Sequence, residues 1–591
     1  MIQQHLVLHY TSPDDDVTYY EADWESAFAL ARAGKVIELA QEHFGETAAE
    51  VTSDLLLQGH AAIGDLVAAY SKAFKNGWNA GQGLARDQHG ASSNGAAGQG
   101  QGQGTTSQQL NAALSKLLDS GYVIRVWAEQ FRPVADGFNE AERRFKHDRG
   151  SAGLTGTKAK LELKEKINRQ MRSWRDGEDE GKRNLRGIKR AYQPEGVFSY
   201  STKRARFDHE GTNGMNGQHY AEDEDDEDVA PLDASLVVRV SHEKSVVALR
   251  NRELVNLAKH KTSATTALVY GEALRRIKTS IRRCHDPLDD PDDTVEPNLA
   301  AGPTVSTLEL AGSLAPDVDL HSDIAPKTPR KRPRKRAKVN GQSDTADMLD
   351  DSPEETSDDS DSADPDDDYI DDPSLSSARR TRMQDIKKHL QLLAESTPPL
   401  LIQTGTRGLG EYAVPFDPLI RHVRLVELES LILSRFGPCA LRITRILAEK
   451  GSKLDEKTIS NLALVKQKEI RVTLTAMHEG GFLDLQEVPR DNSRAPSRTI
   501  YLWYYDPDRV RLRVLEDVYK CMARTLQRSR SEREALQGLL AKAERSDVKG
   551  NEETFLTNSE RLALRTWGEK EERLLVQLGR LERLVGVFRD F

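Results

Sequence analysis

The chain has 591 residues, of which 30% are charged and 37% hydrophobic, with a formal net charge of −10; that length exceeds what one hydrophobic core organises, so several domains separated by solvated segments are expected. Two tracts, Glu222 to Asp228 and Asp344 to Asp372, hold about 7 and about 15 carboxylates without a Lys or Arg, and with these and one basic run set aside the remainder is near neutral, so bulk charge is no proof of nucleic-acid binding. Three scattered cysteines, Cys284, Cys439 and Cys521, exclude a disulfide framework and a CxxC zinc site, and no apolar run approaches the roughly 18 residues of a membrane span, so no metal, cofactor or membrane partner is expected.

In chain order, Leu6 to Tyr10 and Val17 to Ala22 are β-rich and joined by a Pro/Asp turn, which predicts a hairpin. In a winged helix the helices precede the hairpin, so residues 1–44 read as a partial first winged helix whose helices are missing. The alternative is that the helical run Glu25 to Phe44 covers the hairpin alone. Residues 45–135 read as a second winged helix, with helices at Glu46 to Gln58 and Ile63 to Tyr70 and a Gly/Gln-rich insertion at 76–107. The stripe Leu110, Ala113, Leu114, Leu117 and Leu118 then ends at Gly121 before a strand from Tyr122 to Val126.

Residues 136–231 read as a polar linker with one helix, Lys158 to Trp174, and the first acidic tract. A third winged helix is expected at 232–418. It would open on the strand Leu236 to Val240, continue through three helical stretches with N-caps at Thr262 and Ser263, and close on the helix Met383 to Ser396 and a hairpin from Pro399 to Phe416. Its interior, 286–377, is rich in Pro, Ser and Asp and reads as a disordered insertion unable to pack a core.

The fourth unit, 419–506, carries the clearest pattern. Helices are predicted at Cys439 to Glu449, after an N-cap at Asp455, and at Lys468 to Glu479, where Gly480 and Gly481 end the third before a β-hairpin. From 507 to 591 spaced leucines and dense Arg/Glu pairs predict an antiparallel helical hairpin broken at Ser546 to Glu553. The fold class is therefore mainly α with small β-hairpins: tandem winged-helix domains plus a C-terminal antiparallel helical hairpin, with long disordered insertions.

Chemistry is concentrated in the fourth unit. Ile470, Leu474 and Met477 recur at core spacing, which leaves Lys468, Arg471, Thr475 and His478 on the opposite face of the third helix. With Arg490, Arg494 and Arg498 on the wing, they are candidate DNA-contacting residues, positioned for phosphates or a major groove. The alternative is a solvated helix face, since Glu469, Glu479, Asp484 and Glu487 lie nearby. For the strand TIYLWYYD, packing competes with base stacking.

The run PKTPRKRPRKRAKV, with Lys327, Arg330, Lys331, Arg332, Arg334, Lys335, Arg336 and Lys338, is a candidate nuclear import signal, its rival being nonspecific nucleic-acid contact. The acidic tract after it reads as a solubilising spacer or as a phosphorylation-tunable tail. GTRGLG at 405–410 has the wrong glycine spacing for a phosphate cradle, and HExxH, P-loop and GxSxG patterns are absent, so no catalytic residue is assigned.

The stretch LDEKTISNLALVKQKEIRVTLTAMHEGGFLDLQEVPRDNSRAPSRTIYLWYYD resembles the winged-helix subunit of nuclear RNA polymerase III, the largest member of that enzyme's specific heterotrimer. YYEADWESAFALARAGKVIELAQEHFGETAAEV, LLLQGH at Leu55 to His60, and LVVRVSHEKSVVALRNRELVNLA carry the same resemblance. It implies four winged helices around a helical hairpin, in a noncatalytic nuclear subunit docked on the largest-subunit clamp. The implied partners are the two other heterotrimer members, an initiation factor of the IIB-related type, and promoter DNA held weakly and without sequence preference. The competing function is a free-standing sequence-specific winged-helix regulator, which would need a strongly basic recognition helix.

Overall fold

The computed structural model describes residues 1–12, 16–75, 105–149, 157–177, 232–286, 288, 302–315, 318–321, 377–490 and 499–591. Arg494, Arg498, the basic run from Lys327 to Lys338 and both acidic tracts lie outside the described residues. The chain divides into two compact units, one of residues 1–252, 278–296 and 420–591, the other of residues 253–277 and 297–419.

Strands β1 (Val7–Thr11) and β2 (Thr18–Ala22) form the expected antiparallel hairpin, in register from Val7↔Ala22 to Thr11↔Thr18. The helical run behind it is broken into α1 (Trp24–Ala29), a 3-10 turn at Leu30–Arg32, and α2 (Ala33–Phe44). Asp23 starts α1 by accepting the backbone N–H groups of Glu25 and Ser26 at 3.0 and 3.1 Å. Helix α3 (Glu46–Gln58) ends at Gly59, whose φ of +88° and closeness to the chain entering β1 leave no room for a side chain: a Cβ there would sit 2.2 Å from the Gln3 carbonyl oxygen.

Next come β3 (Ala61–Ala62), α4 (Ile63–Lys75), α5 (Thr105–Asp119) and β4 (Val123–Arg125). Helix α6 (Val134–Arg149) was not anticipated, and α7 (Thr157–Asp176) matches the predicted helix in the linker. The two form a pair around Ala141, Leu163 and Ile167, with Phe138, Phe145 and Trp174 packed against them. Phe138, Ala141 and Phe145 are a helical stripe, thinly spread among the charges of Glu140, Glu142, Arg143 and Arg144, which is why the segment reads as polar.

Strand β5 (Val237–Val240) corrects an expectation. Instead of opening the third unit, it lies between β3 and β4, pairing Ala61↔Val238 and Val123↔Val240. Its inward Val238 and Val240 join a core with Leu55, Leu66, Leu114 and Leu117. Local alternation identifies a strand, but its partners lie more than 100 residues back, where no local pattern points. Helices α8 (His242–Lys261) and α9 (Ala264–Ser280) follow as two long helices where three were expected, and of the two proposed caps Ser263 serves α9, accepting the Thr266 N–H at 3.1 Å.

In the second unit, β6 (Thr304–Ser306) and α10 (Thr307–Ser313) fall inside the stretch expected to lack a core. A capping box between Ser306 and Glu309 starts α10, and Val305, Leu310 and Leu320 are buried. These few apolar residues are diluted by the polar sequence on either side. Helix α11 (Ser377–Glu395), β7 (Ile402–Gly405) and β8 (Glu411–Ala413) complete a sheet of order β6–β8–β7, and the glycine-rich segment is a hairpin turn. Buried His389 bridges Thr266 Oγ1 at 2.9 Å and the Leu320 carbonyl at 3.0 Å, fixing α11 to α9 and to the segment after α10.

Helix α12 (Phe416–Phe436) leads into α13 (Pro438–Lys450), β9 (Leu454–Asp455), α14 (Glu456–Ala463), α15 (Gln467–Glu479), β10 (Asp484–Pro489) and β11 (Thr499–Tyr504). Among the described residues, three three-stranded sheets share one topology: the strand latest in sequence lies in the middle, as in β3–β5–β4, β6–β8–β7 and β10–β11–β9. The units of β6–β8–β7 and β10–β11–β9 are built as helix, strand, helix, helix, strand, strand, which is the winged-helix plan, and that of β3–β5–β4 follows it with the α6–α7 pair inserted before its last strand.

The remainder is helical: α16 (Pro507–Ala535), α17 (Gln537–Ala543), α18 (Glu552–Phe555), α19 (Asn558–Val585) and a π-type turn at Gly586–Asp590. Contacts from Arg511 to the Phe588 carbonyl (2.6 Å), Lys570 to Glu532 (3.0 Å) and Lys542 to Glu560 (2.9 Å) show that α16 and α19 run antiparallel. The final turn is an assembly point. Arg424 of α12 donates to the Val587 carbonyl at 3.1 Å, buried Arg32 pairs with Glu582 and Asp590, and Lys35 reaches Glu582 and the Gly579 carbonyl. Arg589 stacks over Phe28, 4.3 Å from the ring centroid. The helical hairpin is thereby tied to residues more than 500 positions earlier.

Candidate nucleic-acid interface

The C-terminal winged helix packs α13, α14 and α15 through Ala440, Ile443, Leu447, Ile459, Ile470 and Leu474, all buried. Phe482 at the head of the wing meets Phe436 edge-on, with ring centroids 5.1 Å apart. Asp455 holds the N-cap position of α14, but its carboxylate takes the Thr458 hydroxyl and no backbone N–H, so the expected cap is only partly realised. Strands β10 and β11 pair from Asp484↔Tyr504 to Pro489↔Thr499.

Lys468, Arg471, Thr475 and His478 are all exposed, on the face opposite Ile470, Leu474 and Met477. Their chemistry differs from that of a free cationic stripe. Arg471 is held bidentately by Glu456 of α14, at 2.8 Å through Nη2 and 3.1 Å through Nε, and the carboxylate raises its pKa further while cancelling its charge. Thr475 donates its hydroxyl to the Arg471 carbonyl at 2.8 Å. His478 donates from Nδ1 to the Leu483 carbonyl at 3.0 Å and sits edge-on to Trp503, so it locks the helix to the wing.

Lys468 retains its outward charge, and Arg490 stands exposed at the end of β10, where the wing begins. Trp503 and Tyr504 are half-buried: Trp503 packs on His478, and Lys453 lies 4.9 Å over the Tyr504 ring while donating to Gln486 at 2.6 Å. Trp503 and Tyr504 are therefore occupied by packing, while Tyr501 of the same strand is exposed. Glu456 is the residue that sequence reasoning missed. It pairs across 15 positions between two helices, a spacing that no helical or strand periodicity reports.

A family model described as RNA polymerase III subunit RPC82 matches residues 112–423, and another, described as POLR3C, C-terminal winged-helix domain, matches residues 428–505. The DNA-directed RNA polymerase III subunit rpc3 of Aspergillus niger is 37% identical over 608 aligned positions, covering 100% of this chain and 91% of that protein. The proteins so named from Botryotinia fuckeliana and, as RPC-3, from Coccidioides immitis are each 35% identical, again covering 100% of this chain and 91% of theirs. With one model spanning more than half of the residues and relatives aligned along its whole length, the chain belongs to the RNA polymerase III subunit RPC82 family.

Proposed function

We propose that this RNA polymerase III subunit is noncatalytic, docks on the polymerase clamp, and supports initiation and promoter opening at genes for small untranslated RNAs such as tRNA and 5S rRNA. The observation that carries the docking reading is the outer surface of the helical hairpin, where Leu512, Leu526, Phe555, Leu562, Leu575 and Val576 are all about half exposed or more. Exposed large apolar side chains gathered on one substructure suit a protein interface. Its partners are other polymerase subunits, including the clamp of the largest and the two fellow members of the heterotrimer, together with an initiation factor of the IIB-related type.

Promoter DNA is contacted weakly and without sequence preference through Lys468 and Arg490, with Arg494 and Arg498 as further candidates outside the described residues. The pairing of Arg471 with Glu456 disfavours a free sequence-specific regulator, which would present that arginine to base edges. A nuclear location follows from the polymerase, with the run from Lys327 to Lys338 as its import signal. Affinity purification of the tagged full chain should recover the heterotrimer and the largest subunit, and crosslinking on an open promoter should place the fourth winged helix beside DNA. Recovery of the chain alone, bound to one DNA sequence, would overturn the reading.

A further inference from the structure

In the C-terminal winged helix two helices end on a residue in the left-handed region. Helix α13 ends on Gly451 (φ 58°), which suits glycine, whereas α14 ends on Leu464 (φ 53°, ψ 38°), a conformation disfavoured for any side chain with a Cβ. Leu464 is moreover 81% exposed, so neither burial nor backbone ease accounts for a leucine there. The turn is firmly set: Ser460 donates its hydroxyl to the Val465 carbonyl at 2.7 Å, which closes the segment and pushes Leu464 outward.

The surroundings define a chemistry. Val472 on α15 is 64% exposed and Leu462 41%, while Lys457 and Lys466, close by in sequence, are also exposed. Lys466 takes the N-cap position of α15 without a side-chain cap, so the first N–H groups of that helix add to the positive field. Of the carboxylates in residues 456–472, Glu456 is consumed by Arg471 and Glu469 is exposed. In the other two winged helices the same connection, between the second and third helices, is where the chain inserts its long segments, between α4 and α5 and between α10 and α11.

We propose that Leu464 is a docking knob that inserts into an apolar pocket bordered by carboxylates on another subunit of the polymerase. This rests on the docking reading above and assigns it a contact point outside the helical hairpin. An apolar knob flanked in sequence by exposed lysines complements an acidic-rimmed pocket. Phosphates would satisfy the lysines but leave the leucine and valine without a partner.

The test uses the full chain reassembled with polymerase lacking this subunit. Leu464→Gly removes the knob while placing in the turn the residue that the backbone favours, so its Tm should equal or exceed that of the wild type. Its affinity for the polymerase should fall at least tenfold. Lys457→Glu with Lys466→Glu should weaken assembly in the same direction, and a photo-crosslinking side chain at position 464 should capture a polymerase subunit at a segment rich in Asp or Glu. Wild-type affinity for Leu464→Gly, a lowered Tm for it, or a crosslink to DNA alone or to nothing would overturn the proposal. Failure of the wild-type chain itself to assemble would instead overturn the docking reading.

Discussion

The sheet β9–β11–β10 is built from residues 454–504, whereas β3–β5–β4, with the same order, gathers strands from residues 61–240. In the compact case the middle strand follows its neighbour across the wing. In the dispersed case the chain inserts the α6–α7 pair before the middle strand returns. The dispersed region leans on ties between distant residues, among them Arg32 with Glu582, Lys278 with the Tyr122 hydroxyl at 3.0 Å, and Arg172 and Arg175 with Asp286 at 2.7 and 2.9 Å. The compact region is held by neighbours in sequence. A winged helix can therefore be opened widely in sequence, provided that other parts of the chain close it in space.

That comparison is broken most strongly at its longest tie. Glu582→Ala with Asp590→Ala leaves Arg32 buried and uncompensated, and stripping the partners from a buried charge costs about 3–5 kcal/mol. Denaturant unfolding of the full chain should show that loss, and a change under about 1 kcal/mol would contradict a structural role for distant closure. A smaller effect separates the two middle strands. Val238→Ala in β5, fully buried, should cost about 2 kcal/mol, and Leu502→Ala in β11, half-buried, about half as much.

Legibility followed the same division. The helices of the compact winged helix, the α5 stripe and the helical hairpin were readable because their periodicity is local: Leu110, Leu114 and Leu117 mark one face within two turns. The partner of β5 was not readable, since Val238 and Val240 look alike to any sheet. Nor was α10, whose core contribution is essentially Leu310 behind Val305. In the candidate site the exposed face of α15 was legible residue by residue. Its charge was not, because the neutralising Glu456 belongs to another helix and the role of His478 depends on where the wing folds back.

Acid should act on the dispersed region next. Burial, and then the nearby Arg239 charge, lower the His5 pKa to about 3 and that of His242 to about 4. Both histidines take up protons more readily when unfolded, so their contribution is fully present above about pH 6.5 and is lost as pH falls toward 4. Between pH 7.5 and 5 each should cost about 1–2 kcal/mol. Tm measured across that range should decline for the wild type and less steeply for His5→Gln; equal slopes would contradict the burial of His5 against Phe131.

The smallest effect belongs to the compact region's surface. Arg471→Ala breaks an exposed pair and should leave Tm nearly unchanged, with little change in the salt dependence of DNA binding. Lys468→Ala with Arg490→Ala should instead lower the salt slope by about 1–2. A steeper loss for Arg471→Ala would mean that the arginine leaves Glu456 to meet phosphate.

The central claim is that the C-terminal part of this chain meets protein more than DNA. It is tested most directly by purifying the tagged full chain carrying Leu526→Asp, Leu562→Asp and Leu575→Asp on the outer faces of the hairpin, and counting the polymerase subunits that come with it. These side chains lie outside the packed seam of α16 and α19, so Tm should hold. The predicted result is loss of the other subunits with the fold intact. Retention of the full complement of subunits would contradict the account.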